Sequence, residues 1–314
     1  MRQEEILRMF PQDMRRRWEQ VAMQADSLQE IRLRVNVPAA VWIDNREWFI
    51  DTEGRLVNRW PQEGVCRPEE LDAILKHLCQ YSVYAFADEI RQGFLTIQGG
   101  HRIGLSGQVI LEKENKIRNL KYIRYLNIRI AHEIKGVADG ILPYLYDEQG
   151  QAFNTLLISP PGCGKTTMLR DMIRHLSNGT VYGKGMNVSV VDERSEIAGS
   201  YLGIAQNDVG IRTDVLDGCP KQEGMMLLIR AMSPQVLAVD ELGNEGDIRA
   251  LQIASGCGCK LLATIHGTSL EEVRSKKYMC NIIADRLFER YLVLTRKNGR
   301  CEIEGIYDRE GVRC

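Results

Sequence analysis

Residues 154–167 read Asn-Thr-Leu-Leu-Ile-Ser-Pro-Pro-Gly-Cys-Gly-Lys-Thr-Thr, and no other stretch restricts the fold of this chain so sharply. An apolar strand at 156–158 runs into a tight loop, and 168–176 continues at helical spacing. Glycines at 162 and 164 reach backbone conformations closed to residues with a Cβ, so N–H groups can converge on phosphate oxygens. The following helix turns its positive end to the same anion. The predicted cradle comprises Pro161, Gly162, Cys163, Gly164, Lys165, Thr166 and Thr167. Lys165 is placed to reach the β- and γ-phosphates, and Thr166 to offer its hydroxyl to Mg²⁺. ATP and Mg²⁺ are therefore the expected ligands. The usual pattern opens with glycine, whereas here that position is Ser159. Pro160 and Pro161 have no N–H to give, so the amides must come from 162–167.

A phosphate loop needs acids beside it. Residues 235–241 form an apolar strand that closes in Asp240 and Glu241. Asp240 is expected to hold the water shell of Mg²⁺, and Glu241 to polarise the attacking water. A second strand, 188–191, ends in Asp192, Glu193 and Arg194, and ligands of open α/β sheets bind at that edge. Glu193 is thus the other candidate for the water. A third strand, 261–266, carries Thr264 and His266, either of which can sense the γ-phosphate. Asp240–Gly243 matches the D-x-x-G of GTPases, but no Asn/Thr-Lys-x-Asp base-reading motif follows. An Arg-rich kinase lid is also missing, and Glu241 beside Asp240 suits hydrolysis better than transfer.

The 314 residues allow two domains. Before the loop the pattern is α+β. Two helical pieces fall within 1–26, a strand at 30–35 alternates Ile31, Leu33 and Val35 with arginines, and hairpins follow at 41–50 and 94–105. Further strands are predicted at 109–111 and 128–130, and a helix opens at Pro68. The pattern loosens over 135–151, giving an α+β N-terminal domain at 1–140 and a P-loop ATPase domain at 141–314. In the latter, strands and helices alternate as in a parallel sheet covered by helices, and a closing hairpin is expected about Lys297-Asn298-Gly299. Lys+Arg (41) and Asp+Glu (42) nearly cancel, which argues against a broad nucleic-acid surface. A nucleotide-switched nucleic-acid module, or a scaffold with little turnover, remains the alternative. No apolar run approaches the ~20 residues of a spanning helix, and none reads as a signal peptide, so a cytoplasmic chain is expected. The nine cysteines show no C-x-x-C pair and read as reduced thiols, Cys163 as a small filler of the loop.

Four runs carry a resemblance: 158–171, 191–199, 232–243 and 263–267, with further matches at 30–34, 100–104 and 127–131. Together they resemble the stage III sporulation protein AA family of endospore-forming bacteria, relatives of the type II and type IV secretion ATPases. The resemblance implies a RecA-like ATPase domain and a hexameric ring. It also implies docking on the cytoplasmic face of membrane-embedded channel proteins between mother cell and forespore. Arginines from the N-terminal domain or a neighbour are implied at the phosphates. Arg102 and Arg129 are the candidates in the matching N-terminal segments, with Arg194, Arg212 and Arg230 in the ATPase half. In the secretion relatives the carboxylate after the second strand carries much of the catalysis, which leaves both Glu193 and Glu241 open.

Overall fold

The computed structural model describes residues 2–112, 117–297 and 300–314. The chain divides into two compact units, 1–132 and 133–314. The division falls ahead of the expected 140/141 because the segment after it is tied to the second unit. Ala138 N donates to Asp171 Oδ2 at 2.9 Å, Asp208 N to Glu133 Oε1 at 2.5 Å, and Lys135 Nζ reaches Asp208 at 2.6 Å.

The first unit is an antiparallel sheet with short helices. Helices α1 (Arg2–Arg8) and α2 (Arg15–Ala22) precede β1 (Leu28–Arg34), β2 (Ala40–Ile43), β3 (Arg46–Ile50) and β4 (Leu56–Val57). Helices α3 (Pro68–Leu78) and α4 (Ala87–Gln92) then lead to β5 (Phe94–Ile97), β6 (His101–Leu111) and β7 (Ile117–Arg129). The strand order is β4-β3-β2-β1-β7-β6-β5. Ile31 and Leu33 of β1 are buried while Arg32 and Arg34 are only partly so, as alternation requires. Asp44 and Asn45 turn β2 into β3 with φ of 50° and 60°, a left-handed pair that these two residues tolerate. Pro68 opens α3, and Glu70 accepts from the Arg67 amide at 2.8 Å. The predicted strand at 109–111 is not separate: it is the end of the long β6.

The second unit contains β8 (Thr155–Ser159), α5 (Lys165–Asn178), β9 (Val188–Asp192), β10 (Thr213–Asp217), α6 (Lys221–Met232) and β11 (Val236–Val239). It continues with α7 (Glu245–Gly256), β12 (Lys260–His266), α8 (Leu270–Ser275), α9 (Cys280–Ala284), β13 (Arg290–Lys297) and β14 (Arg300–Asp308). The sheet order is β10-β9-β11-β12-β8-β13-β14, parallel except for the β13/β14 pair. That closing pair is antiparallel, but the turn predicted at Asn298-Gly299 lies outside the described residues. Successive residues of each central strand sink into opposite layers. Leu157, Val190 and Ala238 pack with Leu169, Met172 and Ile173 of α5. Leu156, Ile158, Val191 and Val239 pack with Met225 of α6, Leu251 of α7 and Val273 of α8. Burial on both faces explains why these strands read as unbroken apolar runs. Among the described residues no helix is long and apolar enough to cross a membrane.

Candidate nucleotide site

The sheet order sets the geometry. β12 lies between β8, which leads into the loop, and β11, which ends at Asp240. The carboxyl ends of all three therefore meet at one edge, and a residue on β12 can span the gap. Thr264 does so. Its hydroxyl donates to Asp240 Oδ1 and accepts the Glu241 amide at 2.8 Å, and it is fully buried.

Asp240 gathers the loop as well. Lys165 Nζ stands 2.8 Å from its Oδ1, and Thr166 Oγ1 donates to its Oδ2 at 2.8 Å. Burial alone would raise this carboxyl, but the Lys165 charge and the donors from Lys165, Thr264 and Thr166 outweigh it and hold Asp240 below the ordinary range. Gly162 and Gly164 adopt φ of 69° and 68°, the left-handed turns predicted for the cradle, and α5 begins at Lys165. Cys163 is buried beneath the loop. A cleft of about 230 Å³ opens above it, lined by Pro160, Pro161, Gly162, Gly164, Lys165, Thr166 and Thr167, with Glu196, Asp240, Glu241 and His266 opposite.

Glu241 enters at φ 57°, a left-handed conformation costly for a residue with a Cβ. That turn brings its Oε1 to 3.2 Å from His266 Nε2 and its Oε2 to 3.3 Å from Arg194 Nη1. Glu193 pairs with Lys221 at 2.6 Å and lines an adjoining recess with Asp240, Glu241 and Glu196, the last of which also lines the cleft.

Glu196 is a residue the sequence reading missed. Asp192 turns back on the chain that follows it and accepts from the amides of Glu196, Ile197 and Ala198 at 2.9, 3.0 and 2.8 Å. Arg170 of α5 donates to the carbonyls of Glu196 and Ile197. Burial pushes the Asp192 carboxyl up to about 6, against the pull of those three amides. The D-E-R-S-E run was visible, but nothing in its spacing says which acid folds back.

Of the arginines, Arg194 touches Glu241, while Arg212 is bound to the Ser177 carbonyl at 2.9 Å and belongs to the packing of α5. Arg102 and Arg129 lie in the first unit, directly paired across β6 and β7, and the Arg102 guanidinium stacks 4.0 Å above the Phe94 ring.

The residues fit a magnesium–nucleotide complex: a hydroxyl and a depressed carboxylate for a hard cation, and positive-φ glycines at a helix start for phosphates. The family model described as "Sporulation stage III, protein AA" matches residues 1–314. The chain belongs to this family. The stage III sporulation protein AA of Bacillus subtilis (strain 168) is 38% identical over 308 residues, 98% of this chain and 95% of that protein. Two solved structures share the fold at low identity. The ATPase DotB of Legionella pneumophila is 15% identical with a TM-score of 0.56, covering 96% of this chain and 81% of its own. The pilus retraction motor PilT, solved with bound ADP, is 14% identical with a TM-score of 0.56, over 90% and 78%. This sporulation stage III protein thus shares the α/β fold of DotB and PilT.

Proposed function

We propose that this member of the family is an ATP phosphohydrolase, working as a ring-forming motor for a membrane-associated, secretion-like channel during endospore formation. The observation that carries the reading is Asp240, on which Lys165 and Thr166 from the start of α5 and Thr264 from β12 converge at one sheet edge. In this reading the second unit is a RecA-like domain. The amides of 162–167 and Lys165 bind the phosphates and fix their orientation. Thr166 and Asp240 would hold Mg²⁺, which would supply charge neutralisation at the phosphates. Glu241, fixed between His266 and Arg194, orients the water and takes its proton on a carboxylate oxygen. Glu193, which shares the adjoining recess with Asp240 and Glu241, is the alternative for that role, and Glu196 is a further carboxylate at the cleft.

The first unit is assigned to ring assembly and partner contact, with Arg102 and Arg129 completing the site from there or from a neighbouring subunit. The reading extends to a hexameric ring on the cytoplasmic, mother-cell face of the membrane, against embedded channel proteins, with support from the family and from the fold shared with DotB and PilT. The test is the ATPase rate per subunit across protein concentration, with Lys165→Ala as the blank. A rate per subunit that climbs with concentration is the expected result. Turnover undiminished in Lys165→Ala would overturn the site.

A further inference from the structure

Cys163 is the middle residue of the phosphate loop, 1% exposed. Its sulfur donates to the Thr295 carbonyl of β13 at 3.0 Å and lies 2.9 Å from the Sγ of Cys301. Cys301 is on β14, the edge strand of the sheet, and its own thiol donates to the Cys163 carbonyl. It also backs the next residue of the loop: a Cβ at Gly164 would stand 3.5 Å from the Cys301 sulfur. Both cysteines are free.

We propose that Cys163 and Cys301 are an oxidisable pair, closed to a disulfide by hydrogen peroxide, and that closure disables the phosphate loop. The second clause rests on the nucleotide-binding reading above. Sulfurs at 2.9 Å are within a short side-chain movement of a disulfide, at about 2.05 Å. Cys301 is exposed as a residue while its sulfur is turned onto the loop, so a small oxidant reaches the pair from the strand edge.

The chemistry balances with one peroxide. One thiol gives two electrons to the peroxide O–O bond, becoming a sulfenic acid as a first water leaves. The second sulfur attacks that sulfur, the S–O bond breaks, and the departing hydroxide takes the second thiol's proton as another water. Two thiols and one H₂O₂ become one disulfide and two H₂O. Burial of the Cys301 sulfur, then the hydrogen bond and charge of Cys163, push its thiol up to about 12. At neutral pH the Cys301 thiol therefore stays protonated and reacts slowly with peroxide.

Closure removes the S–H that serves the Cys163 carbonyl and draws the middle of the loop toward β14. Bound geometries that depend on several converging donors suffer from displacements of about 1 Å. Nucleotide affinity is accordingly expected to fall about tenfold or more.

The experiment treats the full chain with one equivalent of hydrogen peroxide, blocks the remaining thiols and maps peptides by mass spectrometry. A fluorescent ATP analogue is titrated before treatment, after it, and after dithiothreitol. The expected result is a cross-linked peptide joining 163 and 301, with affinity lost and then restored. Cys301→Ser and Cys301→Ala are expected to bind the analogue like the unaltered chain and to give no such cross-link. Recovery of both cysteines in the thiol-blocked form after treatment overturns the pair. A cross-link with unchanged affinity overturns its effect on the loop. If the reduced chain binds no analogue, the nucleotide reading fails, while the peptide map still decides the pair.

Discussion

Thr264 is one methyl-for-hydroxyl exchange away from a sharp test. Valine keeps its shape on β12, but Asp240 loses a donor and the Glu241 amide loses its acceptor. With Lys165 and Thr166 untouched, nucleotide affinity is expected to move little, whereas kcat falls about tenfold to a hundredfold, as when one preorganising hydrogen bond is removed. Separate kcat and KM values for Thr264→Val check this; a change confined to KM would contradict it. Asp192 makes a prediction in pH. Its folded value, about 6, lies above the ordinary 3.8, so the folded chain retains a proton that the unfolded chain has released. Stability therefore falls as pH rises from about 3.8 to about 6 and is unaffected by this group above that window. Urea midpoints of the unaltered chain and Asp192→Asn, compared across the same range, should diverge in that direction. Parallel curves would show that Asp192 does not titrate there.

Helix α6 packs closely on β9 because it has a glycine where it crosses. A Cβ on Gly224 would come within 2.7 Å of Val191 Cγ1, a stiff side chain 1% exposed. Alanine would favour the helix by up to ~1 kcal/mol, but overpacking a filled core costs about 1–3 kcal/mol. Gly224→Ala is thus expected to destabilise by about 1–2 kcal/mol, measured by equilibrium unfolding; a more stable variant would show that the layers can part freely. The elements that were legible in the sequence are those buried on both faces. β8, β9, β11 and β12 each have a run of apolar residues with turn residues or acids at the end, and the loop between β8 and α5 carries its own glycines. β6 and β7 were harder to read: their far halves are exposed, so apolar and charged residues mix without period. Long-range pairs outside the nucleotide motifs left no trace. Nothing near Cys163 announces Cys301, 138 residues on, and nothing in residues 193–212 announces that Asp192 would gather the amides that set Glu196 in place.

For the whole molecule the division at 132/133 has a measurable consequence. The strap 133–138 contributes Glu133, Lys135 and the Ala138 amide to the second unit, the last to an Asp171 carboxylate held below its ordinary range despite its burial, by the Ala138 amide and Arg174 among others. A fragment 133–314 is expected to be more stable than 141–314 by about 2–4 kcal/mol, the scale of one buried charged hydrogen bond plus weaker partners. Denaturation of the two fragments side by side checks it, and equal midpoints would return the boundary to 140. One last consequence belongs to the Lys165–Asp240 contact. Each charge answers the other, so Lys165 adds less attraction than a free lysine would for the sulfate, phosphate and carboxylates that crowd any cell. An anion arriving alone can take the lysine only by drawing it from Asp240, which keeps the Thr166 and Thr264 hydroxyls but loses its charge partner. A visitor that carries its own cation relieves both sides together. The loop therefore behaves as a lock with two wards, turned best by a key cut for both.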